Sequence, residues 1–443
     1  MVEPKPKVGL VFFPAFDWAI SPDHPERQER LLYTRDQIQE EGLLDHPSIR
    51  EFRPRLASDE EILRTHIVLP TLSQQVTESH RIAAGGTIVA ADLILDGVVK
   101  RAFALLRPPG HHANRVVHGS RGFCLLNNEA VMVDHLRHRL GPDVRIAIVD
   151  TDAHHGDGTQ DVFYNDPGVL HISLHQDGRT LYPGTGFPQE QGGPGAFGQT
   201  VNIPLPPGTG DEGMLMAMER VVLPILEEWE PDYIINAAVQ DNHFSDPITN
   251  MSFSAHGYAQ LTDLLKPDLV VLEGGYSIED ALPYINAGLL LALAGLDYSK
   301  IQEPQGRPGA LQSSSITRQV AEICDEVLGL WQKRNKVTRS DIFGAGSFFE
   351  RRRQIYYDTD NIYESQQEYI RLCSDCPGWR VIYTTSTRVA IPVAAVLTSW
   401  QTCPSCQKEA ENHYHSTIKE DQFGQVIWQD SSQGYSTWTS STC

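Results

Sequence analysis

Arg145-Ile-Ala-Ile-Val149, followed at once by Asp150-Thr-Asp152-Ala-His154-His155-Gly-Asp157-Gly158, is the stretch that decides the fold. Its first half is short, β-branched and apolar, which reads as a central strand of a parallel sheet. Its second half gathers three carboxylates and two imidazoles within eight residues, where that strand ends. Side chains alternate along an extended chain, so Asp150, Asp152 and His154 share one face. Carboxylate and imidazole donors two residues apart suit a borderline divalent ion such as zinc. Few structural roles gather so much charge at a strand end.

Outward from this segment, strand-like runs alternate with helix-like ones. Val8-Gly-Leu-Val-Phe-Phe13 reads as a first strand and is too short for a signal-peptide core. Val99 to Leu106 leads into Pro108-Pro-Gly-His111-His112, Val169 to Leu174 into a Gly/Pro-rich loop, Asp232 to Val239 into Asp241, and Asp268 to Leu272 into Gly274-Gly275-Tyr276. Helical patterns cover Thr87 to Leu95, Glu212 to Trp229 and the stretch after Ser277. The expected fold class is therefore α/β, an open, mostly parallel sheet flanked by helices. Ligands bind such sheets beyond the carboxyl ends of the strands. Four strands deliver polar, chemically capable residues there, which predicts one active site.

At 443 residues the chain accommodates one large α/β core and a smaller appendage. A net charge of −21 argues against the basic face that nucleic acid would require and leaves cationic substrates such as lysine side chains or polyamines open. No run nears the ~18 apolar residues of a membrane span. Seven cysteines without a secretory pattern do not suggest a disulfide framework, so a cytoplasmic protein with reduced thiols is expected.

The chain also carries, in order, Ser21-Pro-Asp-His-Pro-Glu-Arg27, Arg107-Pro-Pro-Gly-His-His-Ala113, Gly122-Phe-Cys-Leu-Leu-Asn-Asn127, Asp150 to Gly158, Pro183-Gly-Thr-Gly186 and Leu272-Glu-Gly-Gly-Tyr276. This set resembles the histone deacetylase superfamily, with its arginase/deacetylase fold, over roughly residues 10 to 300. Leu272 to Tyr276 and Leu205-Pro-Pro-Gly-Thr-Gly-Asp-Glu212 look like its bacterial and class II branch, which includes acetylpolyamine amidohydrolases. The resemblance implies a zinc-dependent amidohydrolase that removes an acetyl or other acyl group from an amine, most simply acetyl-lysine. An acetylpolyamine or other small acyl amide is the alternative substrate. A catalytically weak acyl-ligand or partner-binding module is the alternative of another class. Arginase-type chemistry on the same fold needs two metals, which the His pair and Tyr276 fit less well.

Residue by residue, the resemblance makes Asp152, His154 and Asp241 the catalytic zinc ligands, with Asp246 in the loop beyond. It pairs His111 with Asp150 and His112 with Asp157, and favours His112 as general base. Tyr276 would donate to the developing oxyanion, with Gly274 and Gly275 forming a tight turn. Gly122, Phe123 and Tyr182 would wall the substrate channel, and Ile248 at the apolar gatekeeper position favours acyl-lysine over polyamine. His155 would support the core. A structural potassium would sit on backbone carbonyls of Asp150, Asp152, His154, Ser173 and Leu174. Two features depart. Val239 stands where relatives keep a glycine before the third ligand, and its branched side chain is expected to crowd the site. Leu69 to Gln75 offers no aspartate to match the acidic loop residue that grips the substrate backbone in many relatives.

Past Ser299 to Ser315, which reads as a loop, Ile316 to Lys336 is an amphipathic helix with Val320, Ile323, Val327 and Trp331 on one face. The composition then changes, which divides the chain into a catalytic domain (1–335) and a C-terminal domain (336–443). There Cys373-X-X-Cys376 and Cys403-X-X-Cys406 bracket 26 residues, the pattern of a second, structural zinc in a zinc-ribbon-like β domain. Val381-Ile-Tyr383 and Val389 to Val396 supply its strands, and His413 and His415 are spare ligands. Its role is open between substrate gating, homo-oligomer formation and partner binding. Cys124 and Cys324 read as buried apolar fillers.

Overall fold

A computed structural model describes residues 6–15, 20, 21, 24–303, 306, 312–432 and 434–439. Pro22 and Asp23 of the first motif, most of the loop at 304–311 and the seventh cysteine, Cys443, lie outside them.

The first part contributes β1 (Val8–Phe12), β2 (Ile49–Phe52), β3 (Ile67–Val68), β4 (Arg101–Leu105), β5 (Val116–Val117), β6 (Ile146–Asp150), β7 (Val169–Gln176), β8 (Thr200–Leu205), β9 (Tyr233–Ala238) and β10 (Leu269–Leu272). β3 and β5 pair with each other, and the other eight form one sheet in the order β2-β1-β4-β10-β9-β6-β7-β8. Every neighbouring pair in that sheet is parallel. The alternation of side chains explains why both faces are covered. On β6, Ile146 and Ile148 pack with the helices Glu78–Leu95 and Asn128–Leu140. Ala147 and Val149 pack on the other face with Glu29–Glu40, Ala255–Leu265 and Leu282–Ala294. All five residues of β6 are buried.

The six expected strands all form, with ends moved by at most two residues. Two others carried weak signals. β2, Ile49-Arg-Glu-Phe52, is a short edge strand with a charged pair at its centre. β8 contains Pro204, which a strand tolerates best at an edge, and β8 is the opposite edge. The helix expected from Thr87 starts at Glu78 and runs through Gly85-Gly86. Those glycines are there for a close approach, since a Cβ on Gly85 would sit 2.1 Å from the Arg55 carbonyl oxygen. The helix Ser314–Lys333 buries Val320, Cys324, Val327 and Trp331 against the main core, and Ile323 packs at its margin.

The C-terminal part forms a second sheet of β11 (Phe348–Tyr357), β12 (Ile362–Arg371), β13 (Arg380–Ser386), β14 (Val393–Thr398), β15 (Gln425–Asp430) and β16 (Gly434–Thr439), paired in chain order. All pairs are antiparallel except β14–β15, whose crossover contains the helix Pro404–Thr417. It is larger than a bare zinc ribbon. One face, with Ile382, Val393, Ala395, Leu397 and Ile427, packs on Ile67, Leu69 and Val116 of the first part. Among the described residues no helix is long and apolar enough to cross a membrane.

Candidate active site

The strands β4, β10, β9 and β6 are consecutive neighbours in the sheet, and each ends at the same edge. Their following loops therefore meet above the sheet centre. From β6 come Asp152 and His154, and from beyond β9 comes Asp241. The three offer ligand atoms within 4.8 Å of one another and are buried. His154 Nδ1 lies 2.9 Å from Asp152 Oδ1 and 2.9 Å from Asp241 Oδ2. Asp241 Oδ1 accepts the Ala153 amide at 2.9 Å, so the third carboxylate reaches the cluster and Val239 does not displace it. Val239 is itself packed away, with about 1% of its surface exposed.

Electrostatics test whether these residues suit a cation. Burial, then the neighbouring Asp241, pushes the Asp152 carboxyl up to about 7. Burial opposes charge on His154, yet Asp241 and Asp152 together hold its pKa up at about 10. Two buried carboxylates facing one ring nitrogen form an excess of negative charge in a low-dielectric setting, which a dication relieves. The donor set of carboxylate, imidazole and carboxylate fits a borderline divalent ion. Gly274 leaves room for it, because a Cβ there would stand 2.8 Å from Asp241 Oδ2 and 3.0 Å from Asp152 Oδ2.

The two histidines arrive after β4 and differ sharply. His111 Nδ1 is 3.1 Å from Asp150 Oδ2, and its Nε2 is 3.3 Å from Asp152 Oδ2. Burial opposes its charge, but Asp152 and Asp150 outweigh burial and raise its pKa well above that of an ordinary histidine. His112 Nδ1 lies 2.8 Å from Asp157 Oδ1. Burial, reinforced by the charge on His111, lowers His112 to about 3. Asp157 is also bonded by the Arg121 guanidinium, and although burial works the other way, Arg121 and His112 keep its carboxyl below the usual range. The surroundings favour the charged form of His111 and the neutral form of His112. Asp157 accepts the hydrogen bond of His112 Nδ1–H, which leaves Nε2 as the acceptor of that ring.

Tyr276 closes the site from β10. Its amide donates to Asp246 Oδ2 at 2.8 Å, its ring meets Phe123 edge-on at 5.8 Å, and burial raises its hydroxyl pKa so that it stays a donor. Arg30 fixes the turn beneath by donating to the carbonyls of Gly275 (2.8 Å) and Glu273 (2.5 Å), and is itself paired with buried Glu26. Phe123, Tyr182 and Ile248 line a cavity of about 260 Å³ that reaches His111, His112, Asp152 and His154. A larger cavity of about 880 Å³ lies on the far side of Tyr182; it touches Asp157 and Arg121 but not the three grouped ligands.

Sequence reasoning missed Arg30, Arg121, Glu273 and Asp358. Glu273 sits inside the quoted Leu272-Glu-Gly-Gly-Tyr276, and its Oε2 accepts the amides of Gly110 (2.6 Å) and His111 (2.9 Å). Asp358 lines the cavity from the second sheet, and nothing in its local sequence signals this. Asp246 is a backbone acceptor rather than a member of the ligand group. His155 bonds Thr185 (2.8 Å) and Gln160 (3.0 Å) and plays a supporting part. Ser173 is the β7 partner of Asp150 in the sheet register.

In the second sheet, Cys373, Cys376, Cys403 and Cys406 bring their sulfur atoms together. Amides of Asp375 and Gly378 donate to Cys373 Sγ (3.5 Å) and Cys376 Sγ (3.3 Å), as knuckles that favour thiolates do. The Asp375 amide is the main cause lowering Cys373 to about 7, while burial raises the thiols of Cys376 and Cys406. His413 is not in this group: it meets the Tyr383 hydroxyl at 3.0 Å. His415 is exposed and also outside it. Cys124 and Cys324 are buried, as expected.

A parallel sheet whose carboxyl edge carries a buried ligand triad and two acid-paired histidines defines an α/β protein of the arginase/deacetylase fold. The histone deacetylase domain profile matches residues 70–292. A probable deacetylase of Archaeoglobus fulgidus is 46% identical over 312 residues, covering 64% of this chain and 85% of that protein. A histone deacetylase-like amidohydrolase of Pseudomonas aeruginosa is 32% identical over 319 residues, covering 64% of this chain and 81% of that one. The crystal structure of the HDA15 HD domain superposes with a TM-score of 0.64 at 28% identity, over 75% of this chain and 97% of that one. The chain belongs to the histone deacetylase family.

Proposed function

We propose that the chain hydrolyses N-acyl amines, acetyl-lysine foremost, using one divalent ion, zinc foremost, held by Asp152, His154 and Asp241. The observation that carries this reading is the buried Asp152–His154–Asp241 group with two histidines beside it, each bonded through Nδ1 to its own aspartate. When bound, the ion would supply Lewis acidity toward the acyl carbonyl and toward water. His112, neutral and with Nδ1 committed to Asp157, accepts the proton of attacking water at Nε2. Tyr276 donates its hydroxyl to the oxygen that gains charge. His111, whose charged form its Nδ1 partner Asp150 favours, supplies positive charge beside the tetrahedral carbon and returns a proton to the leaving amine. The named relatives, deacetylases and an amidohydrolase, agree with an acylated amine as substrate.

A second, structural zinc on the four cysteines and a potassium on the carbonyls of Asp150, Asp152, His154, Ser173 and Leu174 belong to the same proposal, as does the division at residue 335. Free thiols fit a cytoplasmic setting. The test is turnover of fluorogenic acetyl-lysine and trifluoroacetyl-lysine peptides beside acetylpolyamines. Hydrolysis of the peptides supports the reading. Turnover of the polyamines alone moves the substrate class, and no turnover of any acyl amide by metal-replete protein removes it.

A further inference from the structure

The second sheet reaches into the active site through one turn. Asp358-Thr359-Asp360-Asn361 joins β11 to β12, and Asn361 adopts the left-handed conformation that such a turn needs (φ 54°). Asp358 Oδ1 accepts the Gly122 amide at 2.9 Å and the Tyr182 hydroxyl at 3.1 Å, so one atom ties both walls of the cavity together. Asp360 Oδ2 accepts the Ser120 amide at 2.6 Å. The turn sits tightly against this segment, since a Cβ on Gly119 would lie 2.6 Å from Asp360 Oδ2.

The rest of the segment is held in the same way. The Val116 carbonyl accepts from the Tyr357 hydroxyl at 2.9 Å, and the His118 ring bonds Thr384 and Ser386, both at 2.9 Å. The His118 carbonyl accepts from Arg388 at 3.1 Å. Residues 116–122 thus have little structure of their own beyond β5 and satisfy much of their polar backbone through the C-terminal domain. That segment leads directly into Phe123, which itself holds a positive φ of 68° and faces Tyr276.

We propose that the C-terminal domain is a working part of the active site, with Asp358 and Asp360 as positioning residues that hold the channel wall formed by Gly122, Phe123 and Tyr182. The proposal deepens the deacetylase reading and rests on it for its kinetic readout. Asp358 also lines the cavity, so its charge faces the entering substrate. Losing a hydrogen bond to a charged acceptor typically changes binding about tenfold or more.

The test uses the full chain with both metals loaded. Asp358→Ala should raise KM for the acyl-lysine peptide about tenfold with a smaller fall in kcat, while metal content stays at its wild-type value and Tm falls by no more than a few degrees. Asp358→Asn, which keeps an oxygen able to accept both bonds, should recover most of that loss; a persistent KM defect there would assign the effect to charge and overturn positioning. Amide exchange reads the wall without any activity: Gly122 should exchange about tenfold faster in Asp358→Ala, and Ser120 in Asp360→Ala. If Asp358→Ala does not fold, Asp360→Ala carries the test through the same two readouts. Wild-type KM together with unchanged exchange overturns the proposal. A wild-type protein that turns over no acyl amide removes the deacetylase reading, while the exchange data still decide whether the turn holds the wall.

Discussion

Gly274→Ala isolates the geometry of the metal site from everything else. Gly274 is outside the left-handed region, so alanine brings no backbone strain, only a methyl group. That methyl would stand 2.8 Å from Asp241 Oδ2, 3.0 Å from Asp152 Oδ2 and 3.1 Å from Val239 Cγ1. Ordinary contact begins at 3.4 Å, so the carboxylate oxygens must retreat by about 0.6 Å and about 0.4 Å. Ligand distances in a metal site hold within about ±0.2 Å, so both shifts exceed what the ion tolerates. Overpacking of this kind costs about 1–3 kcal/mol of stability, and misplacing two of three ligands should weaken metal affinity at least about tenfold. The assay is zinc titration against a chromogenic chelator, with Tm alongside and the zinc proposed for the four cysteines as an internal standard. Gly329→Ala, whose Cβ meets nothing within 4 Å, is the neutral control. Wild-type affinity at the catalytic site of Gly274→Ala would refute the placement of Asp152 and Asp241 around one ion.

Other outcomes follow from the same geometry. Tyr276→Phe should lower kcat about a hundredfold or more with KM and Tm nearly unchanged, because it removes only the donor to the oxyanion; steady-state kinetics on an acyl-lysine peptide checks it. His66 donates to the Asn114 carbonyl and accepts the Asn127 amide, each at 2.9 Å, which requires the neutral ring, and burial lowers its pKa to about 4. The unfolded state binds that proton from about pH 6.5 downward and the folded state only near 4, so stability is lost as pH falls through this window. The expected loss from His66 is about 2 kcal/mol between about pH 7 and pH 5, read by urea titration, and His66→Gln should flatten it. Cys403→Ser should remove one zinc per chain and lower Tm, since a structural site's binding energy is folding energy; metal analysis with calorimetry reads both. A chain that keeps full stability with no metal on the four cysteines would contradict that expectation.

The central sheet was legible because β6, β9 and β10 are apolar runs of four to six residues that end in polar clusters. Such strands announce both their burial and their carboxyl ends. Asp150, Asp152, His154 and Asp157 could be sorted into roles because two histidines elsewhere needed partners, and the family resemblance said which. β2 and β8 were not legible, since a strand at an edge carries charge or proline that breaks the pattern. Arg30 and Glu273 act on backbone groups far away in the chain, which no local pattern encodes. The second sheet was read as a ribbon from its cysteines, while its further strands include polar segments such as β11, whose charged residues pair across to Asp161 and Glu368. Asp358 belongs to the same class of long-range contact, reaching Gly122 across 236 positions of sequence.

The account stands on one ion among Asp152, His154 and Asp241 in a hydrolytic site. Anomalous diffraction at the zinc edge from crystals soaked with a hydroxamate reads this directly. The expected map has one peak between those three side chains, chelated by the hydroxamate beside Tyr276, and one peak among the four cysteines. Two adjacent metal ions in the first site, or a hydroxamate bound away from it, would contradict the account.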